Sequence, residues 1–144
     1  MRKHLICAAA ALLMAAPFAA HAQNKAIDFK PGNPFSDGFV AGKTLYVAGQ
    51  QGPDDQGKVT GTTIEFQTER TIQAIQKVVE KAGFKMSDIV NITVYITDLN
   101  DVPKMNAVYK KLMPDPKPAR ATIQAAGLVN NARVEIAAIA VKEK

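Results

Sequence analysis

Arg133-Val134-Glu135-Ile136-Ala137-Ala138-Ile139-Ala140-Val141 is the stretch whose reading decides the fold. Its β-branched and small apolar residues read as the last strand of the chain. Alternation places Val134, Ile136, Ala138 and Ala140 on one face and Glu135, Ala137, Ile139 and Val141 on the other. Both faces are largely apolar, so both need cover. Working back from it, Ile89 to Thr97 alternates more sharply, with Val90, Ile92, Val94 and Ile96 opposed to Asn91, Thr93 and Tyr95. That pattern predicts a strand with one strongly buried face.

Two helical stripes are available to cover it. Ile72, Ile75, Val78, Val79 and Ala82 recur at helical spacing behind Thr62 or Thr63 as cap, and Gly83 ends the run. Val102, Met105, Val108, Tyr109 and Leu112 form a second stripe introduced by Asp98 or Asn100. Pro114, Pro116 and Pro118 break it into an extended stretch, followed by a strand over Ala121–Ala125 and a turn region over Gly127–Ala132. Phe39-Val40 and Leu45–Ala48 flank Ala41-Gly42-Lys43-Thr44 as a hairpin, and residues 23–33 read as a polar leading arm. The order is ββαβαββ, a single α+β domain with two helices packed on one face of a mixed sheet. Two helices cover one face only. Large apolar patches are unusual on monomers, so a second copy of the chain is the expected cover for the other.

Length and composition narrow the chemistry. The 144 residues begin with basic Met1-Arg2-Lys3, an apolar run from Leu5 to Ala16, and Ala20-His21-Ala22 as a small-x-small site. Residues 1–22 therefore read as a secretory signal peptide, and residues 23–144 as the mature domain, periplasmic or secreted. The apolar run is shorter than the roughly 20 residues of a membrane span, so no membrane association is expected after its removal. Both histidines and the single cysteine lie in the leader; the mature chain has none, and no tryptophan. This argues against zinc or haem sites, thiol nucleophiles, disulfides and histidine triads, so no metal or cofactor is expected. Losing Arg2 and Lys3 lowers the formal net charge from +5 to +3, which is no nucleic-acid footprint.

The mature chain has three arginines, Arg70, Arg120 and Arg133. Arg70 and Arg133 read as solvated surface charges. Arg120 follows the stiff Pro116-Lys117-Pro118 segment and opens a strand, which suits a guanidinium fixed for bidentate capture of a carboxylate. The alternative is a structural ion pair with Glu135 or Asp115. Glu135 is the one acid inside the apolar last strand: paired, raised in pKa or at a pocket rim, it would hold or activate water, while an edge strand would turn it to solvent. The glycine-rich loop Gly49–Gly57 matches no phosphate-binding loop.

The chain resembles the RidA (YjgF) family of enamine and imine deaminases over about residues 33–141. The resemblance rests on Val47-Ala48-Gly49-Gln50, on Asp88-Ile89-Val90 leading to Thr93-Val94-Tyr95, and on Asp98-Leu99-Asn100-Asp101 with Asn106 and Tyr109. It rests above all on Pro118-Ala119-Arg120 and Val134-Glu135-Ile136-Ala137-Ala138-Ile139-Ala140. It implies a chorismate-mutase-like fold, a homotrimer with clefts between subunits, and cofactor-free hydrolysis of 2-imino or enamine acids to 2-keto acids and ammonia. By position, Arg120 would clamp the substrate carboxylate and Glu135 would assist the attacking water. Gly49, Asn106, Phe35 and Thr122 would line the pocket. Phe35 stands where a tyrosine is frequent, Thr122 where a cysteine is frequent, and Lys117 where an aromatic is common. The competing reading is a non-catalytic ligand-binding or chaperone-like protein using the same clefts.

Overall fold

The computed structural model describes residues 24–59 and 61–143, so the leader expected over residues 1–22 lies outside them. Six strands and two helices follow in order: β1 (Lys25–Ile27), β2 (Gly38–Ala41), β3 (Thr44–Gln50), α1 (Ile64–Lys81), β4 (Ile89–Ile96), α2 (Val102–Leu112), β5 (Ala119–Gln124) and β6 (Val134–Val141). The strands form one sheet in the order β1-β2-β3-β6-β4-β5. Only β4 and β5 pair in parallel, joined by α2 as their crossover; every other pair is antiparallel. The sheet is therefore mixed and the expected order holds with one addition. The leading arm is not merely polar: Lys25–Ile27 pairs with β2, and Ile27 is buried.

Local chemistry explains the boundaries. The β2–β3 hairpin closes through Gly42-Lys43, with Gly42 at φ 61°, where a side chain would be strained. The Thr63 hydroxyl accepts from Phe66 N at 3.2 Å and starts α1; Gly83 at φ 77° stops it. The Asp98 carboxylate accepts from Asn100 N at 2.9 Å and turns the chain into α2. Ile72, Ile75, Val78 and Val79 of α1 and Met105 and Tyr109 of α2 pack on Leu45, Val47, Ile92, Val94, Ile96, Val134, Ile136, Ala138 and Ala140. A fully buried side chain of this size contributes roughly 1.5–3 kcal/mol. The expected β4 face is off at one end. A bulge between Ile89 and Asn91 buries Ile89 and turns Val90 outward, 48% exposed. Leu112 also lies outside its stripe and Met113 is buried in its place.

Among the described residues nothing covers the second face of the sheet. Register places Phe39, Tyr46, Ile139, Ala137 and Tyr95 there, with Ile123 at its far end. Phe39, Tyr46 and Ile123 are each more than 40% exposed, so neither helix reaches them.

Candidate active site in two halves

Glu135 sits on β6, a central strand between β3 and β4, so the edge-strand alternative does not apply. It lies opposite Tyr95, on the open face. A β-bulge in β3 between Val47 and Gln50 brings the Gly49 backbone under its carboxylate. A Cβ at Gly49 would overlap Oε1 of Glu135 and come within 2.8 Å of Cδ, so only glycine permits this approach. Gln51 Nε2 donates to Glu135 Oε2 at 2.9 Å and to Val129 O at 3.0 Å. Glu135, Gly49, Gln51, Phe35, Val129 and Asn130 share the wall of a cavity of about 500 Å³. Among the described residues no lysine or arginine lines it.

Arg120 belongs to a different cavity. It pairs in register with Ile92 of β4, a buried core residue, and so points to the helix side of the sheet. There its guanidinium carbon lies 4.8 Å from the centroid of the Tyr109 ring on α2. Asn106, Tyr109, Lys110, Lys117 and Arg120 line a cavity of about 250 Å³. Lys117 fixes the approach to β5. Its ammonium donates to Met113 O at 2.6 Å and Lys110 O at 3.1 Å, closing the C-terminus of α2, and lies 3.2 Å from Asp115. Both suggested partners of Arg120 are thus engaged elsewhere, and among the described residues no carboxylate pairs with it. Burial raises the Tyr109 phenol above its ordinary value of 10 and outweighs the Arg120 charge, which pulls the other way. Its hydroxyl is buried with no hydrogen-bond partner among the described residues.

The two halves do not meet within a chain. Arg120 aligns with Ile92 and Glu135 with Tyr95, three residues further along β4, on opposite faces and with β4 between them. Strand spacings put their Cα atoms roughly 14 Å apart. Of the sequence-derived set, Phe35, Gly49 and Glu135 share one cavity and Asn106 and Arg120 the other. Thr122 lies on the Arg120 side of β5, opposite Val94, and lines neither cavity.

A family profile described as Endoribonuclease L-PSP matches residues 25–142. The chain belongs to the RidA (YjgF) family. A 2-iminobutanoate/2-iminopropanoate deaminase of Dermatophagoides farinae is 39% identical over 116 residues, which are 79% of this chain and 90% of that protein. The crystal structure of RidA from the Antarctic bacterium Psychrobacter sp. is 31% identical, with a TM-score of 0.72 over 82% of this chain and 94% of that one. E. coli TdcF, solved with bound serine, is 31% identical, with a TM-score of 0.72 over 77% and 90%. The chorismate-mutase-like fold of the RidA family is therefore the fold of this chain.

Sequence reasoning missed Gln51 and Asn130 in the Glu135 cavity. Their contacts span 78 to 84 residues, and no local pattern marks an amide that reaches across a sheet end. It also misjudged Arg133. Arg133 Nη2 lies 2.5 Å from Oδ2 of Asp101, whose side chain is only 8% exposed, so this is a structural pair. Arg70 is the surface charge it was read as, paired at 2.8 Å with the exposed Asp55 and lying over Phe66.

Proposed function

We propose that this protein hydrolyses reactive 2-imino acids and their enamine tautomers to 2-keto acids and ammonia, as an exported homotrimer whose sites are completed between protomers. The observation that carries the reading is the division of the site. Among the described residues, one cavity holds a carboxylate without a cation and the other a guanidinium without a carboxylate. The sheet face bearing Glu135 exposes Phe39, Tyr46 and Ile123 and is uncovered among the described residues, which suits packing against another copy. The deaminase name of the D. farinae relative and the serine bound by TdcF support a small amino-acid-like ligand.

In the composite site, Arg120 of one protomer holds the substrate carboxylate through a charge-assisted contact contributing roughly 1.5–3 kcal/mol. Glu135 of the neighbour accepts a proton from water as its oxygen bonds to the electrophilic imine carbon. Glu135 returns that proton to the nitrogen of the carbinolamine, the C–N bond breaks, and ammonia leaves as the hydroxyl oxygen forms the C=O bond and gives its own proton to water.

The test is disappearance of several 2-imino acids, generated in situ by an amino-acid oxidase, in the presence of residues 23–144. Turnover above the spontaneous rate, abolished in Arg120→Ala while the oligomer persists by light scattering, is the expected outcome. Tight ligand binding with no turnover by the wild type would replace this reading with the non-catalytic one. A monomeric mass at micromolar concentration would remove the intersubunit site. Export predicts that the mature chain recovered from cells begins at Gln23, which N-terminal sequencing reads directly.

A further inference from the structure

We infer that Gln51, oriented by Asn130, is the positioning residue that presents one chosen oxygen of Glu135 to water; this rests on the imine-hydrolase reading above. Gln51 lies in the loop just after β3, in the stretch read from sequence only as glycine-rich. Its amide group is fully specified by its neighbours. Nε2 has two acceptors, Glu135 Oε2 at 2.9 Å and the Val129 carbonyl at 3.0 Å, while Oε1 accepts from Asn130 Nδ2 at 3.2 Å. Turning the amide over would face its oxygen to two acceptors and its nitrogen to a donor, so one orientation alone satisfies all three.

The consequence falls on Glu135. A carboxylate on a free side chain presents either oxygen, and a water held by it samples both. Here Gln51 occupies Oε2, and Oε1 lies over the Gly49 backbone, where a methyl group would displace it. Among the described residues no donor reaches Oε1. Oε1 is therefore the oxygen left to accept the proton of the attacking water. The Val129–Asn131 turn supplies the rest of the anchor. Asn130 (φ 59°) and Asn131 (φ 51°) are in the left-handed region, a conformation asparagine tolerates better than most residues. The turn thus holds the Asn130 amide against Gln51. Gln51 contributes no proton and contacts no reacting atom in this arrangement. It acts through Glu135.

The test compares the wild type with Gln51→Met, which keeps length but removes both polar atoms, and with Asn130→Gly, which keeps the backbone freedom but removes the donor. With in situ generated 2-imino acid, Gln51→Met should lose roughly tenfold or more in kcat, with KM changed by less than about twofold. Asn130→Gly should lose less, and the double variant no more than Gln51→Met alone, because the two act in series. An unchanged kcat in Gln51→Met overturns the inference, as does a rise in KM at constant kcat, which would make Gln51 a binding group. Additive losses in the double variant would also overturn it. A readout independent of turnover is the Gln51 side-chain amide resonance, which should shift on Glu135→Ala; an unmoved resonance refutes the contact even if no variant has activity. Wild-type protein with no turnover but a shifted resonance sinks the hydrolase reading and leaves the contact standing.

Discussion

Gly49→Ala isolates the shape of the Glu135 half-site from the stability of the fold. Gly49 is not among the glycines at positive φ, so alanine can adopt its backbone conformation without strain. The added Cβ would overlap Glu135 Oε1 and lie 2.8 Å from Cδ and 3.1 Å from Cγ. Carbon atoms rest at about 3.5–4.0 Å, so the carboxylate must retreat by roughly 1 Å. That movement breaks the Gln51 contact, a loss of about 1 kcal/mol. The smaller backbone entropy of the unfolded alanine chain offsets about 0.4–1 kcal/mol of it. Net destabilisation should thus stay below about 1 kcal/mol, a fall in Tm of at most roughly 3–6 °C for a domain of this size. A misplacement of about 1 Å at a reacting group, in contrast, costs on the order of 100-fold in rate. The assay is imine turnover beside a thermal melt on the same sample. Wild-type kcat in Gly49→Ala would refute the placement of Glu135. A drop in Tm beyond about 10 °C would show that Gly49 is a packing position instead.

Two further substitutions probe the Arg120 side and the scaffold. Tyr109→Phe removes a buried hydroxyl with no partner among the described residues, so stability at pH 7 should rise by about 1 kcal/mol while Arg120 keeps its ring. Because the folded phenol titrates above its ordinary value of 10, the protein should lose stability as pH rises past about 10, where unfolded tyrosine ionises and Tyr109 does not. Denaturant midpoints at pH 7 and 10.5 should show a smaller alkaline loss in Tyr109→Phe; parallel curves contradict the assignment. Arg133→Ala leaves the Asp101 carboxylate buried without its partner, and should cost about 2 kcal/mol, less than a fully buried pair because Arg133 is half-exposed. Adding Asp101→Asn should recover part of that loss, and a single-variant cost under about 0.5 kcal/mol would refute the structural role.

Periodicity carried most of the fold. The α1 stripe and the Ile92–Ile96 alternation bury the faces they specify, because each is set by neighbours in sequence. The misreadings have physical causes. Lys25–Ile27 is too short to show a period, and the Ile89–Asn91 bulge shifts register without leaving a mark in composition. At the site, Arg120 and Glu135 stood out because a cation behind prolines and an acid in an apolar strand violate local expectation. Gln51 violates nothing. A glutamine in a glycine-rich loop is ordinary until the sheet brings β6 beside it. The division of the site between two faces was likewise hidden, since it follows from strand order and from the parallel register of β5 on β4.

Subunit mixing tests the intersubunit site most directly. Arg120→Ala and Glu135→Gln are unfolded together at equal amounts and reassembled, each being inactive by itself. In a trimer with Arg120 from one protomer and Glu135 from the next, three quarters of the products are mixed and each mixed ring regains one intact site of three. Turnover should therefore return to about a quarter of the wild-type rate. Mixed trimers that form, as shown by differently tagged subunits co-purifying, yet stay inactive would contradict a site shared between protomers.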